Sequence, residues 1–588
     1  MGTAPARSVP VGEIRSLGDH ALLIGVTDPV AGRRLVRALT AARLEGVAEV
    51  VGGLATVMVA FDPAAAGDLA AQRPLVAHLL DELSRPGRSD DEDAVGARLL
   101  EIPCTFDGPD LAEVATLAGS TPEAVVAMMT AGPLTVAVVG FSPGFAYLAG
   151  LPAGLDQVPR RPSPRPSVPA GSVALANGHA AVYPSASPGG WQLIGRTEVP
   201  LFSPRQRPYA RLAPGDHVHF VRSADAADAG AARAGAVGSS TSDGGPVRLP
   251  DPPLPGWIPD PPPPGWRPVF AVDEPGLRSV LQDGGRKGLA ALGVPAAGPA
   301  DPDSFRLANA LVGNPAGACT LEITARGPTL RCLSPTFVAV VGGSPALRLQ
   351  GQPIGAGQVV PVAPGQQLVV GPVRGGFRCY LAMAGGFVGP ALLGSYASDQ
   401  LTGLGPGPIV AGAQLWGGLT EPPLGDHLRA AASPPLDQSD PVALRVVPGP
   451  HHERFAPGTF ATLASRRFTV EAASNRVGLR LRRDPRTPLL RAAPGTPAEL
   501  DSQGMVTGAV QVPPDGEPVI LLSDHATLGG YPVVAVVAAV DHGLLGQCAP
   551  GTTVVLVPCD LPEAIEALRA HRRALGLAVV GHYPLAVE

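Results

Sequence analysis

Three of the four arginines in a proline- and glycine-rich stretch are candidates for binding an anion. The stretch runs from Pro159 to Thr197 and contains Arg160, Arg165 and Arg196. Prolines stiffen the backbone, so less conformational entropy is lost when nearby arginines bind a carboxylate or a phosphate. Together the three guanidinium groups could form a clamp on such an anion. The alternative is a set of ordinary surface ion pairs.

The same stretch contains a glycine pair and a tyrosine that could complete the site. Gly189 and Gly190 have no Cβ, so the backbone there can approach a ligand closely. Tyr183 stands six residues before the pair, in Val-Tyr-Pro. Upstream, Gly140-Phe-Ser-Pro-Gly-Phe-Ala-Tyr-Leu148 places a tight turn between aromatic residues, which is either structural or part of the same site.

A second candidate for chemistry is Asp524-His525, which precedes Gly529, Gly530 and Tyr531. Histidine titrates near neutral pH, and a neighbouring carboxylate could hold it in one tautomer as a general base. Adjacent residues on a strand point to opposite faces, however, so the two side chains need not touch. We expect at least one of them to line a pocket beside the Gly-Gly turn.

Gln282, Asp283 and Arg286 form another polar cluster, in which Asp283 is a third candidate catalytic residue. The alternative is a turn network that fixes the first barrel of the second half. Arg476 follows Asn475 and precedes Val477-Gly478. Asn475 and Arg476 could reach an acidic group of a substrate, or they could simply cap a turn.

Histidines elsewhere do not indicate a metal site. His451-His452-Glu453 lacks a third well-spaced ligand, so a solvated loop is the better interpretation. His217 and His219 share one face of a strand and are expected to be a surface pair. We therefore predict that no metal is bound by this chain.

Composition excludes several classes of protein. The chain has 588 residues, 45% hydrophobic and 16% charged, which suits packed domains rather than a disordered chain. The net charge of −6 provides no basic field for nucleic acid. No apolar run is long enough to span a membrane, and the amino terminus lacks a secretory signal, so we expect a cytoplasmic protein. The six cysteines form no CxxC pair and are predicted to be single buried thiols.

Lys287 is the only lysine in the chain, and this limits cofactor chemistry. Its surroundings, Gln-Asp-Gly-Gly-Arg-Lys-Gly, do not match a P-loop, which needs its own lysine. A biotin carrier also needs a lysine, normally within Met-Lys-Met, and that motif is absent. We therefore expect no covalent biotin on this chain. Any ATP chemistry must use arginines and backbone amides, or lie on another chain.

Turn-forming residues predict mainly β architecture with α+β parts. The chain contains 74 glycines and 69 prolines, and Ala-Pro-Gly recurs at 213–215, 363–365 and 549–551 before β-rich runs. Helices are predicted near Leu69–Leu83, after Thr121-Pro122, after Asp301-Pro302, and near Pro562–Ala574. The predicted domains are 10–90, an α+β subdomain; 98–222, a barrel; 223–264, a Gly/Ser/Pro-rich linker; and 267–588, two barrels. Trp257 in the linker and Trp266 just after it could either pack on a domain or remain free.

The first half resembles the B-type subunit of bacterial 5-oxoprolinase. The motifs that carry the resemblance lie between Gly140 and Thr197, and the match runs from about residue 10 to 222. The family includes the KipI kinase inhibitor and the C/D part of the urea carboxylase carboxyltransferase domain. Met129 and Leu134 stand where the family often has a histidine and a tyrosine, and His179-Ala180 replaces its usual Gln-Thr. These departures leave the substrate open.

The second half resembles the C-type subunit of 5-oxoprolinase, a family also called KipA-like or carboxyltransferase A/B. Its motifs occur in order: Val280-Leu-Gln-Asp-Gly-Gly-Arg286, Gly298-Pro-Ala-Asp301, Leu321-Glu-Ile-Thr, Tyr380-Leu-Ala-Met-Ala-Gly-Gly386, Ser474-Asn-Arg-Val-Gly478, Gly508-Ala-Val-Gln-Val-Pro513 and Leu522-Ser-Asp-His-Ala-Thr-Leu-Gly-Gly-Tyr-Pro532. The resemblance adds Gln511, Gly529, Gly530 and Tyr531 to the expected substrate-binding residues. It also implies cyclophilin-like β-barrels in two tandem halves.

The resemblance implies an enzyme component that opens 5-oxoproline to glutamate with a separate A-type subunit, using ATP with magnesium in the complete system. A carboxyltransferase component of a urea or amide carboxylase, with the biotin carrier on another chain, is one alternative. A KipI/KipA-like regulator of a sensor histidine kinase is another, although fusion in fixed stoichiometry suits one catalytic assembly better. Homo-oligomers are possible. We further expect one pocket built by both halves, with the arginines of 160–196 facing the Asp524–Tyr531 segment.

Overall fold

A computed structural model describes residues 9–63, 69–84, 97–223, 264–418, 429–430, 441–483, 499–577 and 579–580. Most of the predicted linker lies outside these residues. Trp266, just after it, opens a strand and packs edge-on against Tyr396, with ring centroids 6.4 Å apart. The architecture is mainly β, as predicted, with barrels in both halves. None of the described helices is both long and apolar enough to span a membrane.

The amino-terminal subdomain is a small antiparallel sheet with two helices. In spatial order the strands are Ile14–Ser16, Ala21–Gly25, Thr56–Phe61 and Val47–Gly52, and the helices are Pro29–Ala42 and Leu69–Ser84. Asp28 caps the first helix by accepting hydrogen bonds from the amides of Val30 and Ala31, at 2.8 and 2.9 Å. The second helix confirms the prediction near Leu69–Leu83.

The rest of the first half is a barrel of seven strands. In spatial order they are Gln192–Arg196, Ser172–Ala176, His179–Val182, Ala146–Ala149, Leu134–Val139, His217–Arg222 and Leu99–Cys104. Backbone hydrogen bonds between Thr105 and Arg196, at 2.8 and 2.9 Å, join the two outer strands. The ribbon Arg165–Val168 with Ser187–Gly189 and the helices Leu111–Leu117 and Pro122–Met129 complete this domain.

The second half begins with two sheets that enclose one core. The first contains Gln352–Ile354, Ser344–Leu349, Gln367–Arg374, Thr329–Cys332, Trp266–Glu274, Gln414–Gly418 and Phe387–Val388. The second contains Arg278–Gln282, Thr320–Thr324, Arg378–Met383, Thr336–Val341 and Val360–Val362. Helix Pro302–Leu311 packs on the second sheet, and Ala290–Leu292 forms a 3-10 turn.

The final domain is a closed seven-stranded barrel. Its strands in order are Val442–Pro448, Val533–Val537, Ala509–Gln511, Val519–Leu521, Gly478–Arg483, Arg467–Val470 and Thr553–Pro558. Two short ribbons pair Gln503–Gly504 with Leu528–Gly529 and Arg429–Ala430 with Val579–Val580. Its helices are Thr459–Ala464, His542–Gln547 and Leu561–Leu577, with 3-10 turns at His452–Arg454 and Ala539–Asp541.

Local sequence signals placed several elements correctly. Thr121 accepts a hydrogen bond from the Ala124 amide at 3.2 Å, and Asp301 accepts from Asp303 and Ser304 at 3.1 Å, so both predicted caps are confirmed. The helix predicted near Pro562–Ala574 is Leu561–Leu577. The glycines of all three Ala-Pro-Gly sequences have positive φ, at 99°, 82° and 89°.

The histidine predictions were partly wrong. His451 is buried rather than solvated, because its Nδ1 accepts a hydrogen bond from the Val533 amide at 3.0 Å. Burial, with the positive charge of Arg454, lowers the pKa of His451 to about 3. His217 and His219 contact Thr135 and Thr130 within the first barrel. All six cysteines are free thiols; five are buried and Cys559 is partly buried.

The two halves share an extensive apolar and hydrogen-bonded interface. One continuous core contains residues of the amino-terminal sheet, the first barrel and the last barrel, including Met58, Tyr147 and Leu528. The Leu54 amide donates to the Ser502 carbonyl at 2.9 Å. The Ala539 amide donates to the carboxylate of Asp19 at 3.0 Å. The last barrel is therefore packed directly on the first half.

Candidate functional site

A partly exposed site lies where the first barrel meets the last one. We call it the inter-half site, and it consists of Tyr147, Arg160, His179 and Tyr183 from the first half and Glu499, Ser502 and Tyr531 from the second. Two contacts join its sides. Ser502 Oγ donates to Tyr147 Oη at 3.2 Å, and Arg160 Nη1 lies 3.3 Å from Glu499 Oε2.

Aromatic side chains form the floor of this site. Phe145 lies edge-on to Tyr147, Tyr183 and Trp191, with ring centroids 5.1, 5.4 and 5.7 Å apart. Burial raises the pKa of Tyr147, and burial raises that of Tyr183 to about 12. Both hydroxyls therefore keep their protons at neutral pH and can donate hydrogen bonds. The Gly140–Leu148 turn positions this floor, so it is more than a structural connection.

Gly189 and Gly190 were expected to let the backbone approach a ligand, but Gly189 instead makes room for a tyrosine side chain. A Cβ on Gly189 would overlap the hydroxyl of Tyr183, whereas the nearest atom to a Cβ on Gly190 would be Pro164 at 3.7 Å. Gly189 is thus required by Tyr183 rather than by a ligand. In the second half, Gly529 gives room to Gln511, because a Cβ there would lie 2.7 Å from Gln511 Nε2. Gln511 was expected to bind substrate, but its Nε2 donates to Met505 Sδ at 3.2 Å and the side chain is buried.

The rim of the inter-half site carries the charges. The side chains of Arg160 and Glu499 are about one third exposed, at 33% and 32%. Such an ion pair is screened by water and contributes little, so an incoming carboxylate can compete for Arg160. Burial raises the pKa of Tyr531, and the carboxylate of Glu499 raises it further. Leu500 donates its amide to the Gly530 carbonyl at 2.6 Å, which fixes the Gly529–Tyr531 segment at this rim.

The three departures from the family pattern lie in two different environments. Met129 and Leu134 are buried in the core of the first barrel. His179 instead faces the inter-half site, with its ring 6.1 Å from that of Tyr147. Burial lowers the pKa of His179, and the positive charge of Arg160 lowers it further. The contact between its Nδ1 and the Asn177 carbonyl acts in the opposite direction. His179 is therefore a neutral imidazole within the site.

The other two predicted arginines contact different acids. Arg165 Nη2 donates to Asp110 Oδ1 at 2.7 Å, and Arg196 Nε donates to Asp107 Oδ2 at 3.0 Å. Arg196 is 58% exposed and lines a separate crevice of about 250 Å³ with Thr402 and Leu404. The expected three-arginine clamp is wrong, because each guanidinium is paired with its own carboxylate and only Arg160, of the three, contacts the last barrel.

Asp524 and Arg476 belong to a buried structural network. Asp524 is fully buried and accepts hydrogen bonds from Arg476 Nε and Nη2, both at 2.9 Å, and from the Gln400 amide at 2.9 Å. Arg476 Nη1 also donates to Glu322 at 2.5 Å. The expected roles of Asp524 in catalysis and of Arg476 in substrate binding are corrected, because neither side chain is accessible.

His525 lies in a different environment from Asp524. Its Nδ1 is 2.8 Å from the Ala526 carbonyl, and burial lowers its pKa. It lines a cavity of about 440 Å³ together with His20, His542 and His571, on the side facing the amino-terminal sheet. The prediction that one member of the pair lines a pocket is met by His525 in part, because Gly529 and Gly530 are not among the described residues that line this cavity. The Asp–His dyad is not formed, since Asp524 is bound by Arg476.

The Gln282–Arg286 segment is a turn network, which was the alternative interpretation. Asp283 accepts hydrogen bonds from Gly285, Ser395 and Tyr396 at 2.6 to 2.9 Å. Gln282 donates to the Ser398 carbonyl at 2.8 Å, and Arg286 Nε donates to the Leu392 carbonyl at 3.1 Å. All three are buried and held by neighbouring backbone. Asp283 is therefore not placed as a catalytic group, nor are Gln282 and Arg286 placed as anion ligands.

Sequence reasoning did not single out Glu499, Ser502 or His179 as site residues. Glu499 and Ser502 stand before the Gln503–Gly504 ribbon, and no motif there suggests chemistry. Asn475, by contrast, caps a turn, since its Oδ1 accepts the Val477 amide at 2.8 Å. For His179 a signal was present, because it was one of the departures from the family pattern.

Two family models match the chain in tandem. "Carboxyltransferase domain, subdomain C and D" matches residues 12–212, and "Carboxyltransferase domain, subdomain A and B" matches residues 292–558. These ranges correspond to the subdomain and barrel of the first half and to most of the second half. The inter-half site is therefore formed between the two matched regions.

Curated relatives agree with this division. The C-type subunit of 5-oxoprolinase from Escherichia coli (strain K12) is 32% identical over 302 residues, covering 51% of this chain and 94% of that protein. The B-type subunit from Bacillus subtilis (strain 168) is 47% identical over 131 residues, covering 22% of this chain and 54% of that protein. Urea amidolyase from Lachancea kluyveri is 32% identical over 317 residues, but the match spans only 17% of its length.

A solved structure matches nearly the whole chain. The crystal structure of TTHA0988 in space group P212121 is similar with a TM-score of 0.74 and 34% identity, covering 93% of this chain and 100% of that one. The two halves thus occur together in another single chain. This protein belongs to the carboxyltransferase-domain family, with subdomains C and D in its first half and subdomains A and B in its second, consistent with a fusion of the B-type and C-type subunits of 5-oxoprolinase.

Proposed function

We propose that this chain is the fused B/C component of an ATP-dependent 5-oxoprolinase, which opens 5-oxo-L-proline to L-glutamate together with a separate A-type subunit. The observation that carries the proposal is the inter-half site, in which a partly exposed arginine and tyrosine hydroxyls are contributed across the junction of the B-like and C-like halves. Relatives named as the B-type and C-type subunits match the two halves separately.

The chemistry of the site suits the proposed substrate. 5-Oxoproline is a flat five-membered lactam with one carboxylate. Arg160 would bind the carboxylate by displacing Glu499, the Tyr147–Tyr183 floor would support the ring, and a protonated tyrosine would donate to the lactam oxygen. His179, which is neutral, provides a group that can accept a proton near this floor.

The ATP requirement is assigned to the complete assembly. Ring opening breaks the lactam C–N bond and adds water, and ATP with magnesium would supply the driving force when bound. Lys287 does not supply a P-loop lysine, since its Nζ lies 2.5 Å from Asp62 on an exposed surface. The residues of this chain would bind and orient the lactam, and the A-type subunit would complete the active system.

The proposal is tested by combining the chain with a candidate A-type partner, ATP and 5-oxoproline and measuring glutamate. We expect ATP-dependent glutamate formation that requires both proteins. Each protein on its own serves as a control. Failure to form glutamate with every A-type partner tested would contradict the proposal.

A second candidate function is carboxyl transfer to urea or another amide. It is favoured by both family models, which describe carboxyltransferase subdomains, and by the match to urea amidolyase. Lys287 does not fit a biotin attachment site, because it lies in no Met-Lys-Met sequence and is held by Asp62. A biotin carrier would have to be another chain. Urea-dependent bicarbonate fixation with such a carrier, without glutamate formation from 5-oxoproline, would establish this function instead.

A further inference from the structure

Another cavity lies between the amino-terminal subdomain and the first barrel, away from the inter-half site. We call it the arginine cleft. Its volume is about 840 Å³, within the range of about 300–1,000 Å³ usual for small-molecule sites. One wall is the face of helix Pro29–Ala42 that carries Gly32 and Val36, and the other is the 207–216 segment with strand Leu134–Val139. None of these residues contributes to the function proposed above.

The charged residues that line the arginine cleft are mainly positive. Four arginines line the cleft, namely Arg33, Arg37, Arg98 and Arg207, and Asp216 is the single carboxylate among the described lining residues. Asp216 is already engaged, since it accepts hydrogen bonds from Arg98 Nε at 3.2 Å and from the Ala213 amide at 2.9 Å. The described lining therefore carries a net positive charge.

Arg33 is the most buried of the four arginines that line the cleft. It is half-buried between the helix and the Pro214–Gly215 turn, where a Cβ on Gly215 would lie 3.5 Å from Arg33 Nε. Burial and the nearby charge of Arg37 lower the pKa of the Arg33 guanidinium, and Asp28, the helix cap, opposes them. An anion bound here would offset an unfavourable concentration of positive charge.

The remainder of the lining is apolar and includes an aromatic ring. Among its apolar residues are Val138, Leu212 and Leu292, and Arg207 stacks over Tyr209 with its guanidinium carbon 5.0 Å from the ring centroid. A flat organic group can lie against this surface while its charged groups reach the arginines. An inorganic anion would use only the cationic part of the cleft.

We infer that the arginine cleft binds an organic polyanion of the nucleoside phosphate class, with the phosphates on Arg33 and Arg207 and the flat base against Tyr209 and the apolar wall. The only lysine of the chain lies outside the cleft, so a P-loop cannot form there. Arginines can bind phosphates without such a lysine, and the cleft supplies them. The inference does not rest on the proposed ring opening, because binding is measured on this chain without its A-type partner.

The test is isothermal titration of the full chain with three probes at physiological salt: ATP, inorganic tripolyphosphate and adenosine. We expect saturable binding of ATP, and binding weaker by roughly tenfold or more for each of the other two. Arg33→Ala and Arg207→Ala should each weaken ATP binding about tenfold or more. Arg205→Ala is the matched control, because Arg205 is exposed, lies two positions from Arg207 and is outside the lining.

Several results would overturn the inference. They are no saturable ATP binding, tripolyphosphate binding as tight as that of ATP, adenosine binding as tight as that of ATP, or equal ATP affinity in Arg205→Ala and Arg207→Ala. Arg207 is exposed, so its variant should remain folded even if Arg33→Ala does not. Thermal melting of each variant establishes which proteins are folded before binding is compared.

Discussion

The arginines of this chain differ in burial and in the carboxylate that each contacts, and these differences separate arginines held in a buried network from those that a ligand could reach. Arg476 is fully enclosed between two carboxylates, whereas Arg160 is one third exposed beside Glu499. A guanidinium locked in a buried network cannot bind a substrate without loss of the fold. An exposed pair at a junction can exchange its partner.

Replacing Gly189 with alanine should damage the site by displacing Tyr183. The added methyl overlaps the Tyr183 hydroxyl, and this tyrosine is 2% exposed, so it cannot move without disturbing the aromatic floor. We expect a loss of kcat/KM of roughly tenfold or more in the coupled assay for Gly189→Ala. Gly190→Ala is the matched control and should keep most of the activity. Equal activity of the two variants would refute the role given to Gly189.

His542 should make the fold sensitive to mild acid. Burial, aided by His20, lowers its pKa to about 4, whereas an unfolded histidine has a pKa of about 6.5. Between these values the unfolded chain binds the proton and the folded chain does not, so stability falls as pH drops. The contribution is about 3 kcal/mol across the whole interval. As the pH falls from about 6.5 to about 4.5, the melting temperature of the wild type should fall more than that of His542→Leu.

The comparison of the two proteins isolates this histidine from the other titrating groups. Melting curves of both are recorded at several pH values from neutral to about pH 4.5, which spans most of the interval between the two pKa values. A melting-temperature difference that stays constant over this range would show that His542 does not remain neutral in the fold.

Sequence reasoning identified the right segments but not always the right atoms. Tyr183, Gly529 and Tyr531 do lie at the junction, because each belongs to a motif whose backbone turn sets its position. Asp524 and Arg476 were misjudged because a buried ion pair and a catalytic pair use the same residue types. Only the packing of Glu322 and Gln400 around them distinguishes the two cases.

At the scale of elements, one ion network joins the two-sheet domain of the second half to the last barrel. Glu322 comes from strand Thr320–Thr324 of the two-sheet domain, and Asp524 and Arg476 come from loops of the last barrel. Arg476 Nη2 also donates to the Gly298 carbonyl at 2.5 Å. The network therefore fixes the orientation of the last barrel against the two-sheet domain.

Removal of Arg476 should be strongly destabilising. Arg476→Ala leaves two buried carboxylates without their partner, which typically costs about 3–5 kcal/mol. We expect a fall of several degrees or more in melting temperature, or failure to accumulate as folded protein. Arg480→Ala is the control, since Arg480 is exposed on the adjoining strand and should change the melting temperature little. A neutral Arg476→Ala would show that the network does not bear on stability.

Elements were easier to predict than their assembly because their signals are local. The caps Thr121 and Asp301 and the three Ala-Pro-Gly turns follow from neighbouring residues alone. The parallel pairing of His217–Arg222 with Leu99–Cys104 depends on contacts between segments far apart in the sequence. No spacing in the sequence places Glu499 beside Arg160, because that contact exists only after both barrels have formed and packed.

At the scale of the whole molecule, the two halves form one packed body among the described residues. Gly504 lies against Met58, and a Cβ there would approach the Met58 Cβ to 2.5 Å. Helix Leu561–Leu577 of the second half packs its Leu561 and Ile565 on the amino-terminal core. These contacts between described residues hold the two halves together.

Residues 1–223 and 264–588 produced as two separate chains should form a 1:1 complex. The shared core and the hydrogen bonds of Leu54 and Asp19 provide the contacts. The measurement is co-elution on size exclusion. Gly504→Leu is the control variant, and its clash with Met58 should weaken the complex. Independent elution of the two wild-type chains would contradict the interface.

The central claim is that substrate binds at the inter-half site through Arg160, and its most direct test is the KM for 5-oxoproline in the assembled system. A charged hydrogen bond to a carboxylate contributes about 1.5–3 kcal/mol, so Arg160→Ala should raise KM roughly 10-fold or more with a smaller change in kcat. Arg196→Ala, whose partner is Asp107 and which lies outside the site, should leave KM within about twofold. An unchanged KM in Arg160→Ala, or an equal rise in both variants, would contradict the claim.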